Sequence, residues 1–152
     1  FPLLLQVCGF MATSRVDEVP QNVFVVPSRI NSTWGGSLTD MVRAQRIMEI
    51  IEEDHLVENA AKSGAHLHEQ LIKLQDKYPN LISNARGVGL FCAIDLPSGE
   101  LRNKLRELAY DKHLFLLSCG NRSIRFRPYL NITPVEIDEA IKGIDACLAQ
   151  MK

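Results

Sequence analysis

The chain contains no apolar run approaching the ~20 residues that a membrane-spanning helix needs. It carries almost no net charge either: 17 Lys+Arg stand against 18 Asp+Glu, leaving -1. That balance argues against nucleic acid or an anionic membrane surface as the main partner. Aromatic residues make up only 7% of the sequence, and the arginines lack the interleaved aromatics of a nucleic-acid platform. Cysteine is sparse and scattered, at Cys8, Cys92, Cys119 and Cys147, with no C-x-x-C pair. These thiols read as reduced groups of an intracellular protein, and no Cys or His pair has metal-ligand spacing. Repeats and low-complexity tracts are missing as well. What is present is an apolar content of 46% in 152 residues. That is enough core for one domain, or for one domain and part of another, and it excludes intrinsic disorder. The opening Phe1-Pro-Leu-Leu-Leu5 has neither an initiator Met nor the basic flank of a signal peptide, so we expect a piece of a longer chain.

Periodicity assigns the elements. Residues 1–30 read as irregular apart from a short strand at Val23-Phe-Val-Val26, closed by Pro27. Ser37 and Asp40 fit a capping box, and Leu38, Met41, Ala44, Ile47, Met48 and Ile51 recur behind it at helical spacing. Leu56, Ala60, Leu67, Leu71 and Leu74 predict a second amphipathic helix that stops before Pro79. Leu81-Ile82 and Val88 to Leu96 read as strands joined at Arg86-Gly-Val-Gly89. Ser98 caps a helix carrying Leu101, Leu105, Leu108 and Ala109. Leu114 to Leu117 and Ser123 to Arg127 form a hairpin around Cys119-Gly-Asn121. Thr133 as cap, Pro134 in the first position and Glu136 three residues on give the last helix the clearest start in the chain. Helices mixed with a small, partly antiparallel sheet define an α+β layered domain.

Two segments carry candidate chemistry. Asn31-Ser-Thr-Trp-Gly-Gly-Ser37 sets hydroxyls and glycines just ahead of a helix. Backbone N–H groups and the partial positive charge of the helix end suit a phosphate there, with Ser32 and Thr33 supplying hydroxyls. A capped helix entered through a tight turn accounts for the same residues. On the strand Ser123-Ile-Arg-Phe-Arg127, Ile124 and Phe126 face one way while Arg125 and Arg127 face the other. A guanidinium fork suits capture of a carboxylate, and a solvated polar face is the plainer reading. His66 and His68 are two apart on a helix and diverge, His55 and His113 sit near helix ends, and the cysteines read as small hydrophobes.

Taken together these segments are familiar. Gln6-Val-Cys-Gly9, Asp17-Glu-Val19, Asn22-Val-Phe24, Pro27-Ser-Arg-Ile-Asn-Ser-Thr-Trp-Gly-Gly36, Leu38-Thr-Asp-Met-Val-Arg43, Arg86-Gly-Val-Gly89 and Ile124-Arg-Phe-Arg-Pro128 make the stretch from Gln6 to Lys152 resemble the C-terminal third of a class III, pyridoxal-phosphate-dependent aminotransferase. The first five segments are most like the lysine 6-aminotransferase type. Leu101-Arg-Asn-Lys-Leu105 and residues 120–128 are equally like the 4-aminobutyrate type.

The resemblance implies a fold and a set of roles. Residues 1–37 would be the end of the large cofactor-binding domain with its phosphate loop. Residues 38–152 would be an interdomain helix and the C-terminal small domain, with helices packed on a small, mainly antiparallel sheet. Thr33, with Ser32 beside it, would reach across a dimer interface to the cofactor phosphate of the neighbouring subunit. Arg125 would pair with an active-site glutamate or with the substrate's carboxylate, switching as the two substrates alternate. The parent enzyme would move the terminal amino group of lysine, or of a related omega-amino acid, to 2-oxoglutarate. It would be a homodimer without nucleic-acid or membrane partners, cytoplasmic, or mitochondrial if of the 4-aminobutyrate type. One position departs from the family pattern: Leu3 stands where the Schiff-base lysine aligns. A leucine forms no bond to the cofactor and carries no proton for it. The isolated chain is therefore expected to be an inactive part of a longer enzyme. The alternative is a stand-alone, non-catalytic module that dimerises or binds an anion.

Overall fold

The computed structural model describes residues 12–29, 33 and 35–151. The chain forms two compact units, Phe1–Glu53 and Asp54–Lys152. In the first, a 3-10 helix at Ser14–Glu18 leads into a turn built on Asn22. Asn22 Oδ1 accepts from the N–H groups of Phe24 at 2.9 Å and Val25 at 3.2 Å, and its carbonyl accepts from Val26 at 3.0 Å. The strand expected at Val23–Val26 is therefore absent. The β-propensity of these residues loses to a local side-chain acceptor that satisfies the same N–H groups, and Phe24 and Val25 are left more than 60% exposed. Helix α1 spans Leu38–Glu53, where predicted, and Ser37 Oγ accepts from Asp40 N at 3.3 Å. Its polar side is laced by Asp40–Arg43 and by Arg46 with Glu49 and Glu53. On its apolar stripe Leu38, Met41 and Met48 are exposed, while Ala44, Ile47 and Ile51 are half-buried.

The second unit contains helix α2 (Leu56–Lys77), strands β1 (Ser83–Val88) and β2 (Phe91–Asp95), and helix α3 (Gly99–Asp111). Strands β3 (Leu117–Cys119) and β4 (Ser123–Phe126) and helix α4 (Pro134–Ala149) complete it. The strands form one antiparallel sheet in the order β1-β2-β4-β3. One sheet face supplies Cys92, Ile94 and Ile124, all at most 2% exposed. They meet Leu67, Leu71 and Leu74 of α2, Leu105 of α3 and Ile144 and Leu148 of α4 in a single core. Burying a side chain of this size contributes about 2 kcal/mol. Asp138 of α4 hydrogen-bonds His66 of α2 at 2.7 Å, and Asp145 pairs with Lys77 at 2.6 Å, so polar contacts also tie the two helices. The α+β architecture with helices on a small antiparallel sheet is as the sequence implies.

Two strand boundaries differ from expectation. Leu81-Ile82 is a turn, because both N–H groups donate to the Tyr78 carbonyl at 2.9 Å after Pro79. The hairpin reverses at Gly89-Leu90, with Gly89 at φ +54°, so Arg86-Gly-Val88 lies on β1 and not in the turn. Gly87 is needed within the strand, since a Cβ there would lie 2.5 Å from Cys92 Sγ and 2.7 Å from the Phe91 carbonyl. Between β3 and β4 the paired segment is shorter than expected: Leu114–Leu116 and Arg127 lie outside it.

Candidate functional site

The candidate phosphate loop belongs to the first unit. Thr33 is exposed in a turn, Gly35 and Gly36 follow, and Gly36 takes φ +75°, a conformation glycine adopts without strain. Ser37 and the first turn of α1 come next. Exposed hydroxyl, open glycine backbone and helix N-terminus together form a donor set suited to a phosphate. Ser32 and Leu3, the other positions singled out in the sequence, lie outside the described residues.

Arg125 belongs to the second unit, on β4, between β2 and β3. It lies opposite Ala93 on one side and Leu117 on the other. Its Nε is buried and has no hydrogen-bond partner among the described residues. An orphaned guanidinium N–H is costly unless another group arrives to accept from it. Arg127, past the end of the strand, is exposed. Beside Arg125 a cleft of about 270 Å³ opens between the β3 approach, β4 and α4, lined by Leu114, Leu116, Phe126, Ile141 and Ile144.

The sequence reading missed a polar network next to this arginine. Asp95, at the end of β2, is only 6% exposed. Its Oδ1 accepts from Ser123 Oγ at 2.6 Å and from Arg86 Nη1 at 2.9 Å, while Oδ2 accepts from Asn84 Nδ2 at 2.9 Å. Arg86 is anchored in turn on the Asn84 carbonyl at 2.9 Å. Burial alone pushes the Asp95 carboxyl up. The hydrogen bonds from Ser123, Asn84 and Arg86, with the Arg86 charge, outweigh it and hold the group at about 2. Asn84 sits at φ +54° beside a register irregularity between Ser83 and Arg86, which turns its amide toward Asp95. The sequence signal was the Arg-Gly-Val-Gly segment itself, legible as a strand only once the true turn is known.

Two histidines and two cysteines take ordinary structural roles, while Cys119, read with the other cysteines as a small hydrophobe, is exposed. His66 pairs with Asp138, and His68 Nε2 lies 3.4 Å from the Ala85 carbonyl. Cys92 and Cys147 are buried, and burial pushes both thiols up, away from the nucleophilic form. Among the described residues, no cluster of His, Cys, Asp or Glu is arranged to hold a metal ion, and no helix is long and apolar enough to cross a membrane.

Comparison with known proteins matches this geometry to one family. The family model for aminotransferase class III matches residues 9–148. L-lysine-epsilon aminotransferase of Streptomyces clavuligerus is 48% identical over 140 residues, covering 91% of this chain and 31% of the relative. Mitochondrial 4-aminobutyrate aminotransferase of Sus scrofa is 42% identical over 104 residues, covering 68% of this chain and 21% of the relative. The solved structure of lysine aminotransferase from M. tuberculosis superposes with a TM-score of 0.88 at 45% identity, over 97% of this chain and 34% of that one. The chain thus spans about a third of the length of these lysine aminotransferases, and it belongs to the class III aminotransferases.

Proposed function

We propose that this chain is the C-terminal part of a pyridoxal-phosphate-dependent aminotransferase that moves the terminal amino group of lysine to 2-oxoglutarate. The observation that carries the reading is Arg125, a strand arginine whose buried Nε has no partner among the described residues, in a chain 48% identical to a lysine aminotransferase. Residues 1–37 close the large cofactor-binding domain, and residues 38–152 are the interdomain helix and small domain. The described donors fit one end of the cofactor, its phosphate: Thr33 and the loop before α1 would hold it, joined by Ser32. When bound, pyridoxal phosphate supplies the electron sink that lets an amino group leave a carbon atom. The work of this chain is binding and orientation. Thr33 donates its hydroxyl to a phosphate oxygen, across a homodimer interface in the family arrangement. Arg125 takes a substrate carboxylate, or a glutamate from elsewhere in the enzyme when that carboxylate is absent. The proton transfers fall to a lysine that this chain does not carry at position 3.

The test joins the part of the Streptomyces clavuligerus enzyme that precedes the matched segment to residues 6–152 of this chain. Arg125→Ala in the joined protein is expected to lower kcat/KM for 2-oxoglutarate by roughly 100-fold, the usual cost of stranding a carboxylate without its arginine. Arg127→Ala is expected to leave it near the parent value. Equal losses would show that the wrong arginine has been assigned.

A further inference from the structure

The sheet face that carries Arg125 also carries a carboxylate. Residue pairing sets Arg86, Ala93, Arg125 and Leu117 in one cross-strand row and Asp95 with Ser123 in the next. Asp95 and Arg125 are thus diagonal neighbours, roughly 7–8 Å apart at Cα and within reach of an arginine side chain. Opposite charges this close, partly shielded from water, would ordinarily pair. They do not: Arg125 Nε has no partner among the described residues, and both Asp95 oxygens are taken by Ser123, Arg86 and Asn84. Arg86 and Arg125 flank the same residue, Ala93, from opposite sides. A methyl group there lets the Arg86 guanidinium cross β2 to reach Asp95 Oδ1 at 2.9 Å and approach Ser123 Oγ at 3.4 Å.

We propose that Arg86 is a positioning residue that occupies Asp95 and thereby keeps Arg125 open for an incoming carboxylate. The proposal deepens the reading of Arg125 given above and rests on it for the identity of the incoming group. Its physical content is a competition. Asp95 has two cationic candidates on one sheet face, and the one anchored by the Asn84 carbonyl holds it. Without Arg86, the freed carboxylate turns to Arg125, and a substrate must then displace an internal partner.

The experiment reads the arginine Nε–Hε resonances of the 152-residue chain by NMR. In the wild type, Hε of Arg125 is buried without an acceptor among the described residues, and its exchange rate sets the reference. In Arg86→Gln its exchange slows by roughly tenfold, because it gains a carboxylate acceptor. In Arg86→Gln/Asp95→Asn the wild-type rate returns. Asp95→Asn alone keeps the local shape and leaves Arg125 unchanged, a control that stands even if Arg86→Gln folds poorly. Unchanged exchange in a folded Arg86→Gln variant would overturn the proposal, as would faster Arg125 exchange in Asp95→Asn. A parallel titration with 2-oxoglutarate, followed on the same resonance, separates this inference from the reading beneath it. Binding that weakens about tenfold in Arg86→Gln and is lost in Arg125→Gln supports both. Binding that survives Arg125→Gln overturns the carboxylate role of Arg125, while the exchange data still decide whether Arg86 withholds Asp95.

Discussion

Asp95 shows how one side chain sets the terms for its neighbours. Burial disfavours its charge, yet three donors, one of them a guanidinium, hold it ionised down to about pH 2. The sign of the resulting pH dependence follows from linkage. A carboxyl depressed in the folded state contributes stability that is complete well above its unfolded pKa and disappears as pH falls through the folded one. Folding stability should therefore drop by about 2 kcal/mol between roughly pH 5 and pH 2 on this account alone. Asp95→Asn should remove that portion of the slope, as urea melts across the range would record. Asp95 was not legible in the sequence as a site, because its partners Asn84, Arg86 and Ser123 come from two other strands and only register unites them. Arg125 was legible, because strand alternation alone sets it on the face opposite Ile124, which is fully buried.

Elements whose ends are decided by nearby residues were the ones the sequence located best. Thr133 accepts from Glu136 N at 3.3 Å and its own N–H donates to Glu136 Oε2 at 2.9 Å, a reciprocal cap that starts α4 where the sequence says it starts. Thr133→Ala is expected to cost about 1 kcal/mol, measurable by chemical denaturation. Ser98 caps α3 from one side, its Oγ accepting from Leu101 N at 3.2 Å. The hairpin turn at Gly89 was misjudged because its position depends on another element. Gly64 of α2 lies so close to it that a Cβ at residue 64 would stand 2.1 Å from the Gly89 carbonyl carbon. Gly64→Ala, a gain by helix propensity, is therefore expected to destabilise the unit by about 2 kcal/mol. An increase in melting temperature would contradict that close packing. The missing strand at Val23–Val26 failed for the opposite reason: among the described residues no strand lies beside it, and Asn22 took the N–H groups of Phe24 and Val25.

At the scale of the whole molecule, the two candidate sites belong to different compact units, the phosphate loop to one and Arg125 to the other. The chain spans about a third of the lysine aminotransferases it matches. The family was legible because its signatures are contiguous stretches such as Ser-Thr-Trp-Gly-Gly36 and Arg-Phe-Arg-Pro128. With leucine at position 3, the 152-residue chain mixed with pyridoxal phosphate and reduced with borohydride should yield no stoichiometric lysine adduct on peptide mapping. The most direct test is amino transfer from lysine to 2-oxoglutarate by the joined protein that carries the upstream part of the Streptomyces clavuligerus enzyme. Turnover is expected from the joined protein and none from the chain alone. Turnover by the chain alone, or a folded, cofactor-loaded joined protein without turnover, would contradict the proposed function.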